Sequence, residues 1–133
     1  MQTGQDSIER AAAAKQRYDE VLRTEYSEDF DTKRKRAMVM SFYKYGVASK
    51  NYPDGVDAIA SLRKQLEAYD ADGNMDHLVD VANYAMLEYM FPRHKDAHYS
   101  PTDSSGSVPP VGVPYRTLPK LDEWEDSQWN GGE

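Results

Sequence analysis

One segment of this sequence, Met75–Phe91, restricts the possible folds more than any other. It is rich in Leu, Val, Ala, Met and Tyr, and Pro92 follows it directly, which predicts a helix that ends there. Because each residue turns a helix by ~100°, Asp76, Asp80 and Asn83 fall within an arc of about 60°. The other directions are almost wholly apolar. A helix with this pattern is expected at the centre of a domain, with its polar stripe facing partners.

Similar periodicity earlier in the chain predicts an all-α fold of about four antiparallel helices in a bundle. No stretch carries a comparable β pattern. Aspartate and threonine near the expected starts are good helix caps. The three preceding helices are predicted from the Asp6–Glu9 capping box to about Leu22, from Asp31 or Thr32 to about Ala48, and from an Asp54 cap to about Asp70.

The composition limits the functions open to such a fold. The 133 residues fit one domain, and the bundle over residues 1–92 is small enough that assembly into a homo-oligomer is expected. A net charge of −7 argues against a general nucleic-acid-binding role, because neutralising phosphates needs a basic surface. The absence of cysteine excludes a disulfide framework and a thiolate metal site.

The sequence also lacks targeting and membrane signals. The N-terminus has neither the basic nor the apolar region of a signal peptide, and no stretch approaches about 18 consecutive apolar residues. We therefore expect no membrane partner and a cytoplasmic location.

Residues 93–133 form a segment of different character. It follows Pro92, is rich in proline and serine, and closes with an acidic stretch. This composition predicts an extended or disordered tail outside the bundle core. Trp124 and Trp129 stand among its carboxylates, an arrangement typical of a docking peptide in which aromatic residues anchor and acidic residues steer towards a basic partner.

The polar stripe of the last helix is the strongest candidate for chemistry. Two carboxylates four residues apart, Asp76 and Asp80, repel one another in a shielded place unless a divalent cation, a basic side chain or water compensates them. Carboxylates are the ligands that Mg²⁺ prefers. A second interpretation stays open, in which Asp76 interacts with the helix dipole while Asp80 and Asn83 face solvent or basic neighbours.

The run Asp76–Met86 resembles the D-x-L-x-D-L-x-N-Y-A pattern of a late helix in MazG-like all-α nucleotide pyrophosphohydrolases, especially small phage-encoded and nucleotide-modification-associated relatives. The resemblance covers Lys33–Pro92 more loosely. It implies an oligomeric helical scaffold in the host cytoplasm, with Mg²⁺ held by carboxylates from two adjacent helices. Cleavage would fall between the α- and β-phosphates of a nucleoside triphosphate. Asp80 and Asp76 would then be metal ligands, and Asn83 would lie near the nucleotide.

The preceding helix departs from that family pattern. Catalytic members carry an E-E-x-x-E cluster there, whereas the segment Ile59–Glu67 of this chain has Glu67 as its acidic residue, with Arg63 and Lys64 nearby. Glu67 is therefore the third candidate Mg²⁺ ligand, and Arg63 and Lys64 are candidate ligands for phosphate groups. Three functions remain open: a Mg²⁺-dependent hydrolase, a nucleotide binder that has lost catalysis, and a phage protein that binds a host protein through its helical surface and tail.

Overall fold

A computed structural model describes residues 2–102, Gly106 and Val108 of the chain. Within this part the chain forms only helices, which confirms the predicted all-α class. The helices are α1 (Gln2–Glu25), α2 (Glu28–Tyr45), α3 (Ala48–Asn51), α4 (Ala58–Asp72) and α5 (Asp76–Met90). None of the helices in the described residues is long and apolar enough to cross a membrane.

The chain divides into two units. One comprises Met1–Arg17 and His98–Glu133, of which the structure describes the beginning of α1 and a few residues from His98 onward. The other is Tyr18–Ala97, which contains α2 to α5. In this second unit α4 packs extensively against α5, and α2 packs against α5 on another side. The last helix is therefore the central one, as its apolar composition predicts.

The start of α1 and the break between α1 and α2 differ from the sequence-based predictions. Helix α1 already begins at Gln2, so Asp6 is not its cap. Helix α2 begins at Glu28 because the Ser27 hydroxyl accepts the backbone N–H of Phe30 at 3.0 Å. The acidic side chains of the first turn add a favourable interaction with the helix dipole. The capping positions predicted at Asp31 and Thr32 consequently lie inside the helix.

The segment between α2 and α4 also differs from the prediction. Helix α2 ends at Gly46, whose φ of 86° suits glycine, and the one-turn helix α3 follows. Asp57, not Asp54, caps α4 by accepting the backbone N–H of Ala60 at 3.0 Å. The turn after α4 agrees with the prediction, since Gly73 ends the helix in the left-handed conformation.

The described part of the chain has a small core. Its buried apolar residues are Ala58, Val79 and Leu87, and Asn83 is its buried polar residue. Helix α2 buries no residue, although it carries several large apolar side chains. Much of the apolar surface in the described residues is thus left in solvent by a single copy of the chain.

Candidate functional site

A cavity of about 490 Å³ lies between α2, α5 and the connection that includes α3. The polar stripe of α5 supplies one wall of it, which explains why a central helix carries polar residues there. Apolar and aromatic side chains of α2 form the opposite wall. The lining comprises Ala37, Met38, Ser41, Phe42 and Tyr45 of α2, then Gly46, Ala48, Asn51, Tyr52 and Val56 of the connection, and Asp80, Asn83, Tyr84 and Leu87 of α5.

Asn83 is the most deeply buried polar group of this wall, with 6% of its surface exposed. Its Nδ2 amide donates a hydrogen bond of 3.1 Å to the main-chain carbonyl of Arg34 in α2. This bond also fixes the amide orientation, because a flipped amide would place two acceptors against each other. The Oδ1 atom is buried and accepts no hydrogen bond from the described residues. A buried acceptor without a partner is costly, and Asn83 also lines the cavity, so a donor that reached Oδ1 would bind favourably.

Asp80 adds a partly buried carboxylate to the same wall. Burial raises its pKa above the usual value, and the nearby carboxylate of Asp76 raises it further, while His77 acts in the opposite direction. Among the described residues no lysine or arginine forms an ion pair with Asp80. The cavity therefore presents a carboxylate acceptor that forms no ion pair with a lysine or arginine of the described residues.

Two tyrosines complete the polar lining. Burial raises the pKa of both Tyr84 and Tyr52, so their hydroxyls are neutral hydrogen-bond donors at physiological pH. The carboxylate of Asp80 raises the pKa of Tyr84 further, whereas a hydrogen bond with Ser61 of α4 acts against this shift. Sequence reasoning missed both residues. The position of Tyr84, four residues after Asp80, could have identified it, but Tyr52 lies in a turn with no periodicity.

Close backbone packing holds the connection that carries Tyr52. The Asn51 side chain donates to the carbonyl of Tyr45 at 3.0 Å, and the Asn51 carbonyl accepts the N–H of Val56 at 2.9 Å. A Cβ atom added to Gly55 would lie only 2.8 Å from that carbonyl oxygen. Glycine is therefore required at position 55 for the connection to keep its path beside the cavity.

This geometry leads to a stability prediction. Gly55→Ala should force the backbone away from Asn51 and lower the free energy of unfolding by about 1–3 kcal/mol, the usual cost of a strained backbone or an overpacked site. Gly4→Ala is the matched control, because a Cβ at this exposed position of α1 has no atom within 4 Å. Chemical denaturation of both variants measures the difference. Equal stability of the two would show that the connection relaxes freely.

The three predicted metal ligands occupy different surroundings. Asp80 lies at the cavity, Asp76 is exposed in the first turn of α5, and Glu67 is exposed on α4. Gln65 of α4 contacts His77 of α5 at 2.7 Å, and Glu67 lies about 200° further around α4. Among residues 2–102, 106 and 108, no group of three His, Asp or Glu side chains could hold a metal ion.

The predicted phosphate ligands are separated as well. Arg63 lies at a second concave surface together with Arg93, His94 and Lys95, whereas Lys64 is exposed and lines neither surface. Neither residue lines the cavity beside α5. The candidate partner-binding residues Trp124 and Trp129 lie outside the described residues.

Comparisons with known protein families, curated proteins and solved structures gave no match to this chain.

Proposed function

We propose that this protein binds a nucleotide, with the nucleoside portion in the cavity between α2 and α5. The observation that carries the proposal is the pair formed by Asn83 and Asp80 on one wall. Within the described part of the chain, Asn83 offers a buried acceptor without a partner, and Asp80 offers a carboxylate without a paired lysine or arginine. Both belong to the run that resembles MazG-like proteins, and in that resemblance Asn83 lies near the nucleotide.

The chemistry of a nucleoside suits this lining. Nucleobases carry N–H donors on their edges, which Asn83 Oδ1 and the Asp80 carboxylate can accept, and flat faces that stack on aromatic rings. Phe42, Tyr45 and Tyr52 provide aromatic surface around the opening. The volume of about 490 Å³ lies within the range of ~300–1,000 Å³ common for small-molecule sites. Nucleotides are cytoplasmic metabolites, and we propose that the protein acts in that compartment.

The donor set of one chain does not fit the Mg²⁺ cage that the resemblance implies. Asp76 and Asp80 come from a single helix, and Glu67 does not join them within the described residues. We therefore propose that the protein binds a nucleotide without cleaving it.

A thermal-stability and calorimetric screen tests the proposal. Nucleosides, nucleoside monophosphates and nucleoside triphosphates are added with and without Mg²⁺. A ligand present at 100 times its Kd should stabilise the fold by about 2.7 kcal/mol. Stabilisation by a nucleoside alone supports base recognition in the cavity. If no nucleoside or nucleotide stabilises the protein at millimolar concentration, the proposal is wrong.

The variant Asp80→Asn tests whether the carboxylate of Asp80 takes part in nucleotide binding. It should weaken nucleotide binding by about tenfold or more, since a charged acceptor is replaced by an amide. Stability at pH 7 should stay equal or rise, because a carboxyl whose pKa is raised by folding stabilises the protein only at low pH and loses this contribution as pH rises through the folded-state pKa. The variant should thus gain less stability than the wild type on acidification.

Glu67→Gln is the matched control for this variant. It removes the same charge from an exposed position that does not line the cavity. Its nucleotide affinity should equal that of the wild type. Calorimetry of both variants at pH 7 and denaturation between about pH 4 and pH 7 give the comparison. Equal affinities of Asp80→Asn and the wild type would remove Asp80 from the site.

The structure also favours a second candidate property, self-association through α2. Three large apolar side chains lie on the face of α2 opposite the cavity: Val39 and Met40 are each 55% exposed and Tyr43 is 79% exposed. We propose that a second copy of the chain covers this face, because the core described within one copy is small. Binding of a host protein by the same face is the alternative outcome.

A further inference from the structure

The second concave surface of the Tyr18–Ala97 unit brings Arg63 of α4 together with three consecutive basic residues that follow Pro92. It has a volume of about 560 Å³ and is lined by Ile59 and Arg63 of α4, Glu88 of α5, and Arg93, His94 and Lys95 after Pro92. Three permanent cations and the Glu88 carboxylate line this surface, and with Asp57, which pairs with Arg93, the local net charge is +1, within a chain whose net charge is −7. Such a local excess of positive charge attracts anions.

Two contacts hold Arg93 in place. The backbone N–H of Arg93 donates to the Glu88 carboxylate at 2.7 Å, so this carboxylate fixes the turn that follows α5. The Arg93 guanidinium pairs with Asp57 at 3.0 Å, and Asp57 is itself fixed as the cap of α4. A guanidinium has five N–H donors, so this ion pair leaves others available for a ligand.

His94 is oriented by a similar contact. Its Nδ1 atom lies 3.0 Å from the backbone N–H of Asp96, which can only donate. Nδ1 is therefore the acceptor, and the neutral ring carries its proton on Nε2. This arrangement makes His94 a hydrogen-bond donor at the Nε2 edge.

Arg63 and Lys95 provide positive charge that no carboxylate of the described residues neutralises. Within the described part of the chain, neither side chain forms an ion pair with a carboxylate. Two unpaired cations at one concave surface repel each other, and an anion between them relieves this repulsion. An anion is opposite in sign to this local charge, and arginine binds tetrahedral oxyanions through parallel N–H donors.

We propose that this surface, formed by Arg63, Arg93, His94 and Lys95, is a binding site for a phosphate or pyrophosphate group. The proposal goes beyond the nucleoside cavity, because the two surfaces share no lining residue. It corrects the predicted phosphate ligands by keeping Arg63 and replacing Lys64 with the basic residues that follow Pro92. The ligand is a small phosphorylated molecule or the free anion.

Isothermal titration of the full chain with inorganic phosphate and with pyrophosphate, at constant ionic strength, tests the proposal. Saturable binding of one anion per chain is expected. Arg63→Gln and Lys95→Gln should each weaken it by about tenfold, the effect of removing one charge-assisted contact. Both side chains are exposed and unpaired, so both variants should fold as the wild type does.

Lys64→Gln is the matched control, because it removes the same charge from a neighbouring position of α4 that does not line the surface. Its affinity for pyrophosphate should stay within about twofold of the wild type, which is well below one tenfold step. Equal weakening in all three variants would show general electrostatic attraction and overturn the proposal, as would absence of saturable binding.

Two further titrations distinguish this site from the nucleoside cavity and from a surface that binds nucleic acid. A nucleoside without phosphate should not compete with pyrophosphate, so failure of the nucleoside cavity would leave this result unchanged. A single-stranded oligonucleotide should bind no more tightly than pyrophosphate. Much tighter oligonucleotide binding, weakened equally by Lys64→Gln, would identify a nucleic-acid surface and contradict the proposal.

Discussion

Replacing Asn83 with leucine should reduce nucleoside binding by at least about tenfold while changing the stability of the ligand-free protein by less than about 1 kcal/mol. Leucine has the same branched arrangement of side-chain atoms as asparagine, and its bulkier methyl groups can extend into the cavity that Asn83 lines. The change removes the hydrogen bond from Nδ2 to the Arg34 carbonyl, which costs stability, but it also removes the buried Oδ1 acceptor that has no partner in the described residues. In the ligand-free protein these two effects on stability oppose each other. Ligand binding, by contrast, loses the acceptor that we propose for the donor of the ligand.

Gln65→Leu is the control for this experiment. It also replaces an amide with leucine at a partly buried helical position, and it breaks the contact with His77 on α5. Gln65 does not line the cavity, so nucleoside affinity should be retained. Calorimetry and chemical denaturation of both variants give the two readouts. A stable Asn83→Leu protein with normal affinity would show that Oδ1 does not contact the ligand.

Asn83→Asp should have a different and larger effect on folding. The added charge would be buried beside the carbonyl of Arg34, which is an acceptor, and near Asp80 on the next turn. None of the described residues that line the cavity is a lysine or an arginine, so a loss of about 3–5 kcal/mol is expected, which is close to the stability of a marginal domain. This loss should diminish on acidification, because protonation restores a donor towards the carbonyl.

The sequence predicts α4, the turn at Gly73 and α5 well, because strong apolar periodicity there coincides with glycine and proline signals. The other helix boundaries depend on which of several possible capping residues forms the cap. Ser27 caps α2 before Asp31 can, and Asp57 caps α4 because the close contact between Gly55 and Asn51 keeps Asp54 in the preceding turn. The local sequence contains all these possible capping residues, but it does not show which of them caps the helix.

The same distinction between predictable and unpredictable features applies to the candidate site. The arc that contains Asp80 and Asn83 is a property of one helix, so the sequence predicts that these residues share a face. The prediction that Glu67 and Lys64 join them depends on the rotation of α4 against α5. The contact between Gln65 and His77 shows which side of α4 meets α5, and in this arrangement Arg63 lies with the residues after Pro92. Such rotation arises from packing between helices and cannot be read from either helix alone.

Assembly through α2 is the prediction with the widest consequences. Because each residue turns the helix by ~100°, Val39, Met40 and Tyr43 lie opposite the stripe of α2 that lines the cavity. A helix with apolar residues on two opposite sides is stable when both sides are covered. The ring of Tyr43 also packs edge-on against that of Phe42, with 5.4 Å between centroids, so the outer face adjoins the rim of the cavity. An assembly would therefore support the site as well as the fold.

Light scattering on the wild-type protein at about 50 µM should give a mass of at least twice the 15.2 kDa of one chain. Tyr43→Asp should shift this mass to that of a monomer, because an assembly would have to bury the new charge. Its melting temperature should fall and lose its dependence on protein concentration, since association stabilises only the folded chain.

Met75→Asp is the control: Met75 is 70% exposed but lies between the polar residues Asn74 and Asp76. This control should assemble as the wild type does. A wild-type protein that is monomeric at this concentration would leave the face of α2 to a different partner protein.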